Sequence, residues 1–545
     1  MRYQTQSPAC SSTNAAELQT AYSLPGPDAC PFRVRPSATG YRRDKIIPAL
    51  LVLLCFLLAS LSDLVHAQTS QPVVIDSSAP AHPFPHFWEH VFGSERAVVT
   101  LRDSYRRDLR EVKQVTAMEY VRFHALFHDE MGVYDEDAEG QPIYNFSYVD
   151  QVYDGLLENG VRAFVELSFM PKKLAASPVL HPFWYKPTVA PPKDYGKWDG
   201  LITHLAQHLV DRYGIDEVSQ WYFEVWNEPN LDFWAGDPKQ ATYFELYDHT
   251  ARAIKAVNSR LRVGGPATAQ AAWADVFIRH CAESHVPVDF VSSHVYGNDK
   301  SEDVLGTHET IPRDRMVCRA VRKVHEQIKA SSMPALPLVW SEFNASYMNE
   351  PEVTDTSYMG PWIADTIRQC DGLVNEMSFW TFSDVFEEQG VVKEPFYGGF
   401  GLIAAGGIPK PSYNAFRLLH KLGDERLDLD SDSVLVTRRK DGTLAIAAWN
   451  MVPPGAQGPP KDATFVFRQK AASQVDVSRI DPDHGDSQRA YRAMGAPRYP
   501  TQAQIRKLRA AAQLAAPEVH DLTNRSVTIQ IPANGLVLLE LRNER

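Results

Sequence analysis

The sequence predicts an α/β protein, a (β/α)8 TIM barrel followed by a C-terminal β-sandwich accessory domain. Three observations carry that expectation. Short apolar runs alternate with amphipathic stretches from Phe87 to about residue 420, and eight such runs can be placed. Beyond residue 421 the periodicity becomes that of hairpins. The chain has 545 residues, too many for one ordinary domain, yet a barrel of about 250 residues or more with a smaller module accounts for them.

In chain order, residues 1–67 read as a leader. Arg42, Arg43 and Lys45 precede an apolar run from Ile46 to Leu61, and Val65-His66-Ala67 resembles a signal-peptidase site before Gln68. Export to the periplasm or medium is expected. The run is shorter than the roughly 20 residues of a membrane span, so an uncleaved anchor is the lesser alternative, and no stable membrane partner is expected otherwise. Residues 68–420 form the expected barrel domain. Its strands are placed near residues 87–91, 120–122, 163–167, 221–226, 261–264, 289–293, 337–341 and 376–380. Helices separate them: in "YVDQVYDGLLENG" (148–160) Val149, Val152, Leu156 and Leu157 recur at helical spacing, and Asn159-Gly160 supplies the stop. Residues 421–545 form the expected sandwich. "SVLVTRRKDGTLAIAAWN" (433–450) is a hairpin about Lys440-Asp441-Gly442, "RSVTIQIPANGLVLLELRN" (525–543) looks like a second pair, and one helix is expected over 501–515.

Composition narrows the function. A net charge of -12 argues against a nucleic-acid surface. Cys281, Cys318 and Cys370 remain beyond the leader and permit at most one disulfide, so no disulfide framework is expected. His325-Glu326 begins like a zinc-protease helix, but no second His follows at the needed spacing. No metal and no cofactor is expected.

In such a barrel the site lies at the carboxyl ends of the strands. The residues there are Arg122-Phe123-His124, Asn227-Glu228, His294-Val295-Tyr296, Glu342 and Trp380. Two carboxylates, Glu228 and Glu342, therefore converge on one aromatic cleft. Such a pair suits hydrolysis of a glycosidic bond, one acid protonating the leaving oxygen while the other attacks the sugar or activates water. Spacing in sequence gives the two acids and leaves the stereochemistry open. Phe183, Trp184, Tyr185, Phe233 and Trp234 are candidates for the mouth of the cleft.

"VWNEPN", "VSSHVYG", "VWSEFNASY" and "MSFWTFSDVFEEQG" resemble glycoside hydrolase family 39, the family of β-xylosidases and α-L-iduronidases, and the resemblance runs from about Phe87 to Phe416. It implies a retaining mechanism with Glu228 as acid/base and Glu342 as nucleophile. It further implies that Asn227 binds the sugar 2-hydroxyl, that His294 and Tyr296 hold the site, and that Arg122 keeps Glu342 ionised. His124, Trp380, Glu387 and Glu388 would bind the sugar at the non-reducing end, in the manner of the xylosidase branch. Two acidic hydroxyl acceptors favour a neutral sugar over iduronate, which requires cationic partners, and Lys393 is the only cation in "SDVFEEQGVVKEP". The expectation is an exo-acting β-D-xylosidase whose partner is a xylo-oligosaccharide. An α-L-iduronidase or another retaining glycosidase of the family is the alternative, and a catalytically silent carbohydrate-binding protein is the alternative of another class. Oligomeric state is not legible.

Overall fold

A computed structural model describes residues 71–469 and 472–542. The expected leader over residues 1–67 lies outside the described residues. Among the described residues, no helix is long and apolar enough to cross a membrane.

Eight parallel strands close into a barrel: β1 (Val91–Arg96), β2 (Tyr120–His124), β3 (Arg162–Leu167), β4 (Tyr222–Val225), β5 (Arg262–Thr268), β6 (Phe290–Tyr296), β7 (Leu338–Asn344) and β8 (Glu376–Phe379). The ring is sealed where Ser378 and Phe379 pair with Val91 and Phe92. The principal helices that follow the strands are α1 (Asp103–Lys113), α2 (Ser147–Leu157), α3 (Tyr195–Tyr213), α4 (Lys239–Val257), α5 (Ala274–Glu283), α6 (Arg313–Ala330), α7 (Met359–Cys370) and α8 (Pro411–Leu419). The sequence dictates their ends. Asp194 caps α3 by accepting from the Lys197 amide at 3.1 Å, Gly214 ends it at φ 81°, and Trp198, Leu201, Leu205 and Leu209 bury one face between.

Alternation along the strands sorts the barrel interior into layers. Val91, Tyr120, Phe164, Phe290 and Val339 pack with Tyr222 as an apolar layer low in the barrel. Two residues further along the strands, Arg122 meets Glu166 and Glu224, so the next layer is ionic. The mouth lies above it, at His124, His294 and Glu342. The first strand was expected over residues 87–91 and instead begins at Val91. Its residues Glu95 and Arg96 are charged yet buried, which hides the strand from a hydrophobicity reading. Gly93 is required there, because a Cβ would overlap the Trp380 ring.

The sandwich has a seven-stranded sheet and a three-stranded one, with a core that includes Ile446, Phe465, Val475, Ile529 and Leu539. Three expectations are corrected. Residues 71–83, assigned by sequence to the barrel domain, pair with the sandwich: Val73–Ile75 lies parallel to Lys461–Phe467, and Ala81–Pro83 antiparallel to Glu425–Leu427. Ser526–Ile531 and Gly535–Leu541 do not pair with each other; the first joins the small sheet and the second lies between Leu444–Asn450 and Gln474–Ile480 in the large one. Both strands alternate or run apolar, so pattern alone cannot tell a hairpin from a crossing between sheets. The helix expected over 501–515 is present as Gln502–Ala511, and a second, Ser487–Ala493, precedes it where none was expected. The hairpin of Val434–Arg438 with Leu444–Asn450 is present as read, with Gly442 at φ 85° in its turn. Cys318 and Cys370 join α6 to α7 as a disulfide, and Cys281 is a buried free thiol.

Candidate active site

The chain leaves β4 at Val225 and turns sharply. Trp226 and Glu228 both take left-handed backbone angles, φ 72° and 46°, which cost about 1–3 kcal/mol each outside glycine. The surroundings hold them there: the Trp226 indole N–H donates to the Phe233 carbonyl at 2.7 Å and the Glu228 amide to the Ala267 carbonyl at 2.8 Å. The turn delivers Asn227 and Glu228 into a cavity of about 380 Å³, lined also by His124, His294, Tyr296, Glu342, Trp380 and Glu388.

Glu342, in β7, is gripped by two donors. Arg122 Nη1 reaches one carboxylate oxygen at 2.6 Å, and the Tyr296 hydroxyl donates to the other at 2.6 Å. Arg122 itself is fully buried and also bonds Glu224 at 2.6 Å, Glu166 at 2.8 Å and the Asn227 side-chain oxygen at 3.0 Å. Because that oxygen accepts from Arg122, the Asn227 side-chain nitrogen is left as its donor, on a residue that lines the cavity.

Glu228 stands across from Glu342, and one carboxylate oxygen of each lies within 4.8 Å of the other and of a His294 ring nitrogen. Burial, then the charges of Glu342 and Asp299, push the Glu228 carboxyl well above the usual carboxylate range, which favours its protonated, proton-donating form. His294 bridges from Glu228 at 3.0 Å to the Ser341 hydroxyl at 3.0 Å. Burial, with Arg122 and His124 nearby, pushes His294 well below the usual histidine range and leaves it neutral. His124 goes the other way. Burial opposes its charge, but the Glu166 carboxylate at 2.7 Å, with Glu388 and Glu342 beyond, lifts it well above that range.

The paired acids after β8 do different things. Glu388 lines the cavity with His124 Nε2 at 3.5 Å, and burial raises its carboxyl to about 7. Glu387 is absent from the cavity wall, contrary to its assignment as a sugar ligand. Arg102 grips both its oxygens, at 2.6 and 2.9 Å, and Arg96 reaches one at 3.3 Å; hydrogen bonding to Arg102 holds its carboxyl below the usual range. Sequence proximity could not separate two neighbouring glutamates whose side chains diverge. Trp380 lies 4.8 Å from the His124 ring, centroid to centroid. Among the mouth candidates, Phe183 and Phe233 line the cavity, Tyr185 and Trp234 are in the core, and Trp184 is exposed.

Glu166 and Glu224 escaped the sequence reading because they sit within strands rather than at strand ends. Gln270, Asp299 and Tyr347, which also line the cavity, come from loops after β5, β6 and β7. Two clusters of donor atoms among the described residues have the spacing of a metal site. In the cavity Glu228, His294 and Glu342 each already have a protein partner, and the Arg122 cation on Glu342 opposes a second cation there. The other, His86 with Glu89 and His420, lies beyond the amino ends of the strands and forms a hydrogen-bonded triad centred on the buried Glu89.

Residues 71–526 match the sequence model described as glycosyl hydrolases family 39. The chain is 38% identical over 473 residues to a β-xylosidase of Geobacillus stearothermophilus, covering 84% of this chain and 93% of the relative. It is 36% identical over 475 residues to a β-xylosidase of Caldicellulosiruptor saccharolyticus, covering 84% and 95%. The crystal structure of a monomeric β-xylosidase from Caulobacter crescentus CB15 superposes with a TM-score of 0.79 at 35% identity, over 87% of this chain and 100% of that one.

Proposed function

The chain belongs to glycosyl hydrolase family 39, and on that premise we propose that it is a retaining, exo-acting β-D-xylosidase that removes xylose from the non-reducing end of β-1,4 xylo-oligosaccharides. One observation carries the mechanism: the Glu228 and Glu342 oxygens within 4.8 Å. Oxygens that close are compatible with the spacing of about 5–5.5 Å between carboxyls used for direct attack.

In the first step a Glu342 oxygen forms a bond to the anomeric carbon while Glu228 gives its proton to the glycosidic oxygen, and the bond to the leaving group breaks. Ester formation removes the Glu342 charge, one of the causes that raise Glu228. The Glu228 pKa therefore falls once its proton is gone, which suits it to take a proton from water in the second step. His294 fixes the Glu228 carboxyl, and the Asn227 amide is placed to donate to the sugar 2-hydroxyl.

For the sugar, Glu388 beside His124 supplies a hydroxyl-binding pair, and a substrate carboxylate would meet Glu388 and Glu342, while His124, the cation that lines the cavity, is already engaged by Glu166 at 2.7 Å. The cavity is at the small end of the roughly 300–1,000 Å³ of ligand sites, which supports action on chain ends. The test is hydrolysis of aryl β-D-xyloside, aryl α-L-arabinoside and aryl α-L-iduronide, with the first product anomer followed by NMR. β-Xylose released first supports the whole reading. Iduronate release, or only long internal fragments from xylan, would replace the substrate assignment. Export is part of the proposal, supported by the leader in the sequence and by the Cys318–Cys370 disulfide, since disulfides persist in oxidising compartments.

A further inference from the structure

The barrel mouth divides into two halves by strand order. His124 comes from β2, and Trp380, Glu388 and Phe400 follow β8; these surround one side of the Glu228–Glu342 pair. The opposite rim, from β4 to β7, carries Glu228 itself, Gln270, Asp299 and Tyr347. Glu228 hands its proton to the leaving oxygen, so the leaving group must lie on this second side.

The second rim is built to receive something. Tyr347 is 48% exposed at the cavity edge, its ring 6.2 Å from and nearly perpendicular to that of Tyr296. Its amide donates to the Asn298 side chain at 3.0 Å, and Gly297 ties the same two loops through the Asn344 carbonyl at 2.9 Å. Across from it the chain takes left-handed angles at Ala267, near the end of β5, and at Gln270, Ala271 and Trp273 in the loop that follows, conformations that non-glycine residues adopt only under constraint. Asn230 supplies that constraint from the Glu228 loop, accepting from the Ala269 amide at 2.9 Å and donating to its carbonyl at 3.1 Å. The strained loop places Gln270 on the same stretch of cavity wall as Asp299, which accepts from the Tyr296 amide at 2.7 Å.

We propose that Tyr347, Gln270 and Asp299 form the leaving-group subsite, which takes a neutral pyranose against the Tyr347 ring and reads its hydroxyls with the Gln270–Asp299 pair. The inference rests on the assignment of Glu228 as the proton donor. An exposed aromatic face beside a fixed amide and carboxylate is the chemistry that recognises a sugar ring, apolar on its face and hydroxylated at its edge.

The experiment compares full-length Tyr347→Ala, Tyr347→Phe and Gln270→Ala with the parent on xylobiose, methyl β-D-xyloside and 2,4-dinitrophenyl β-D-xyloside. A leaving-group subsite acts only before the aglycone departs. Tyr347→Ala and Gln270→Ala should therefore lower kcat/KM on xylobiose by about 10-fold or more, change it less than about 2-fold on the methyl glycoside, and leave kcat on the dinitrophenyl substrate, limited by hydrolysis of the glycosyl-enzyme, unchanged. Tyr347→Phe should retain most activity on xylobiose. Equal losses on xylobiose and methyl xyloside, or a fall in the deglycosylation-limited kcat, would overturn the proposal. If the parent prefers a glycoside of another sugar, the xylosidase assignment fails separately, and the same ratio of disaccharide to methyl glycoside of that sugar decides the subsite.

Discussion

Replacing Arg122 by Met removes a fully buried cation while keeping an unbranched apolar stem, and the structure sets the size of the effect. The guanidinium holds Glu224, Glu342, Glu166 and Asn227 at 2.6, 2.6, 2.8 and 3.0 Å. Stranding buried charge by deleting its partner costs about 3–5 kcal/mol, a large part of an ordinary stability of about 5–15 kcal/mol. The variant can reduce that cost by binding a proton, because without Arg122 a buried carboxylate has its pKa raised above the unfolded value of about 4.3. A group raised in the folded state contributes stability that is complete below the unfolded pKa and is lost as pH rises. At about pH 6, protonating one such group costs roughly 1.36 kcal/mol per unit over about 1.7 units, or about 2 kcal/mol; near pH 4.3 that cost is almost gone. The destabilisation should therefore shrink from about 4 kcal/mol near pH 6 to about 2 kcal/mol near pH 4.3. Urea midpoints of both proteins at the two pH values measure it. A deficit that stays constant or grows in acid would refute the view that Arg122 serves mainly as the counter-charge of this carboxylate layer.

Glu342→Ala should abolish turnover, with azide restoring part of it and giving the inverted glycosyl azide; NMR showing the retained azide would contradict its role as nucleophile. Glu228→Ala should spare the first step for very good leaving groups and slow poor ones, and its kcat/KM profile should lose the basic limb, since the parent loses activity as pH rises through the raised Glu228 pKa. Equal losses on good and poor leaving groups would point to another acid. Glu388→Gln should lower kcat/KM on xylosides by roughly 10-fold or more. Glu387→Gln should leave xyloside kinetics nearly intact, because Arg102 and Arg96 hold its carboxylate away from the cavity; similar kinetic losses from both variants would place Glu387 against the sugar after all.

The sequence revealed those residues whose type is surprising for their place. Asn227-Glu228 interrupts an apolar run, as Glu342 does in "VWSEFN", and a carboxylate there has no packing explanation. Glu166 in "RAFVEL" and Glu224 in "YFEV" read as ordinary alternation, inside for one sheet face and outside for the other. Only a closed barrel, in which the alternate face points to the axis, turns them into ligands of Arg122. Loop residues such as Gln270, Asp299 and Tyr347 carry no periodicity at all, and only the closure of the ring brings them to one rim. The same limit explains the sandwich: residues 71–83 pair with strands more than 340 positions away, as Val73 does with Phe465, a separation that local pattern does not encode.

The site's charge inventory links its fold to its chemistry. Six carboxyl groups, those of Glu166, Glu224, Glu228, Asp299, Glu342 and Glu388, surround or underlie the cavity, against the cations of Arg122 and His124. In so buried a place they cannot all ionise, so protons must reside on some of them. Position decides which. Glu166 touches both cations and is held below the usual range, although burial opposes this. Glu342 is fixed by Arg122 and the Tyr296 hydroxyl in the orientation of an acceptor. Glu228 has no cation in contact and faces the Glu342 charge, so a proton settles there. The ionic layer below the mouth thus creates the asymmetry between two chemically identical residues, and moving the Arg122 charge toward Glu228 would interchange the conditions for acid and nucleophile.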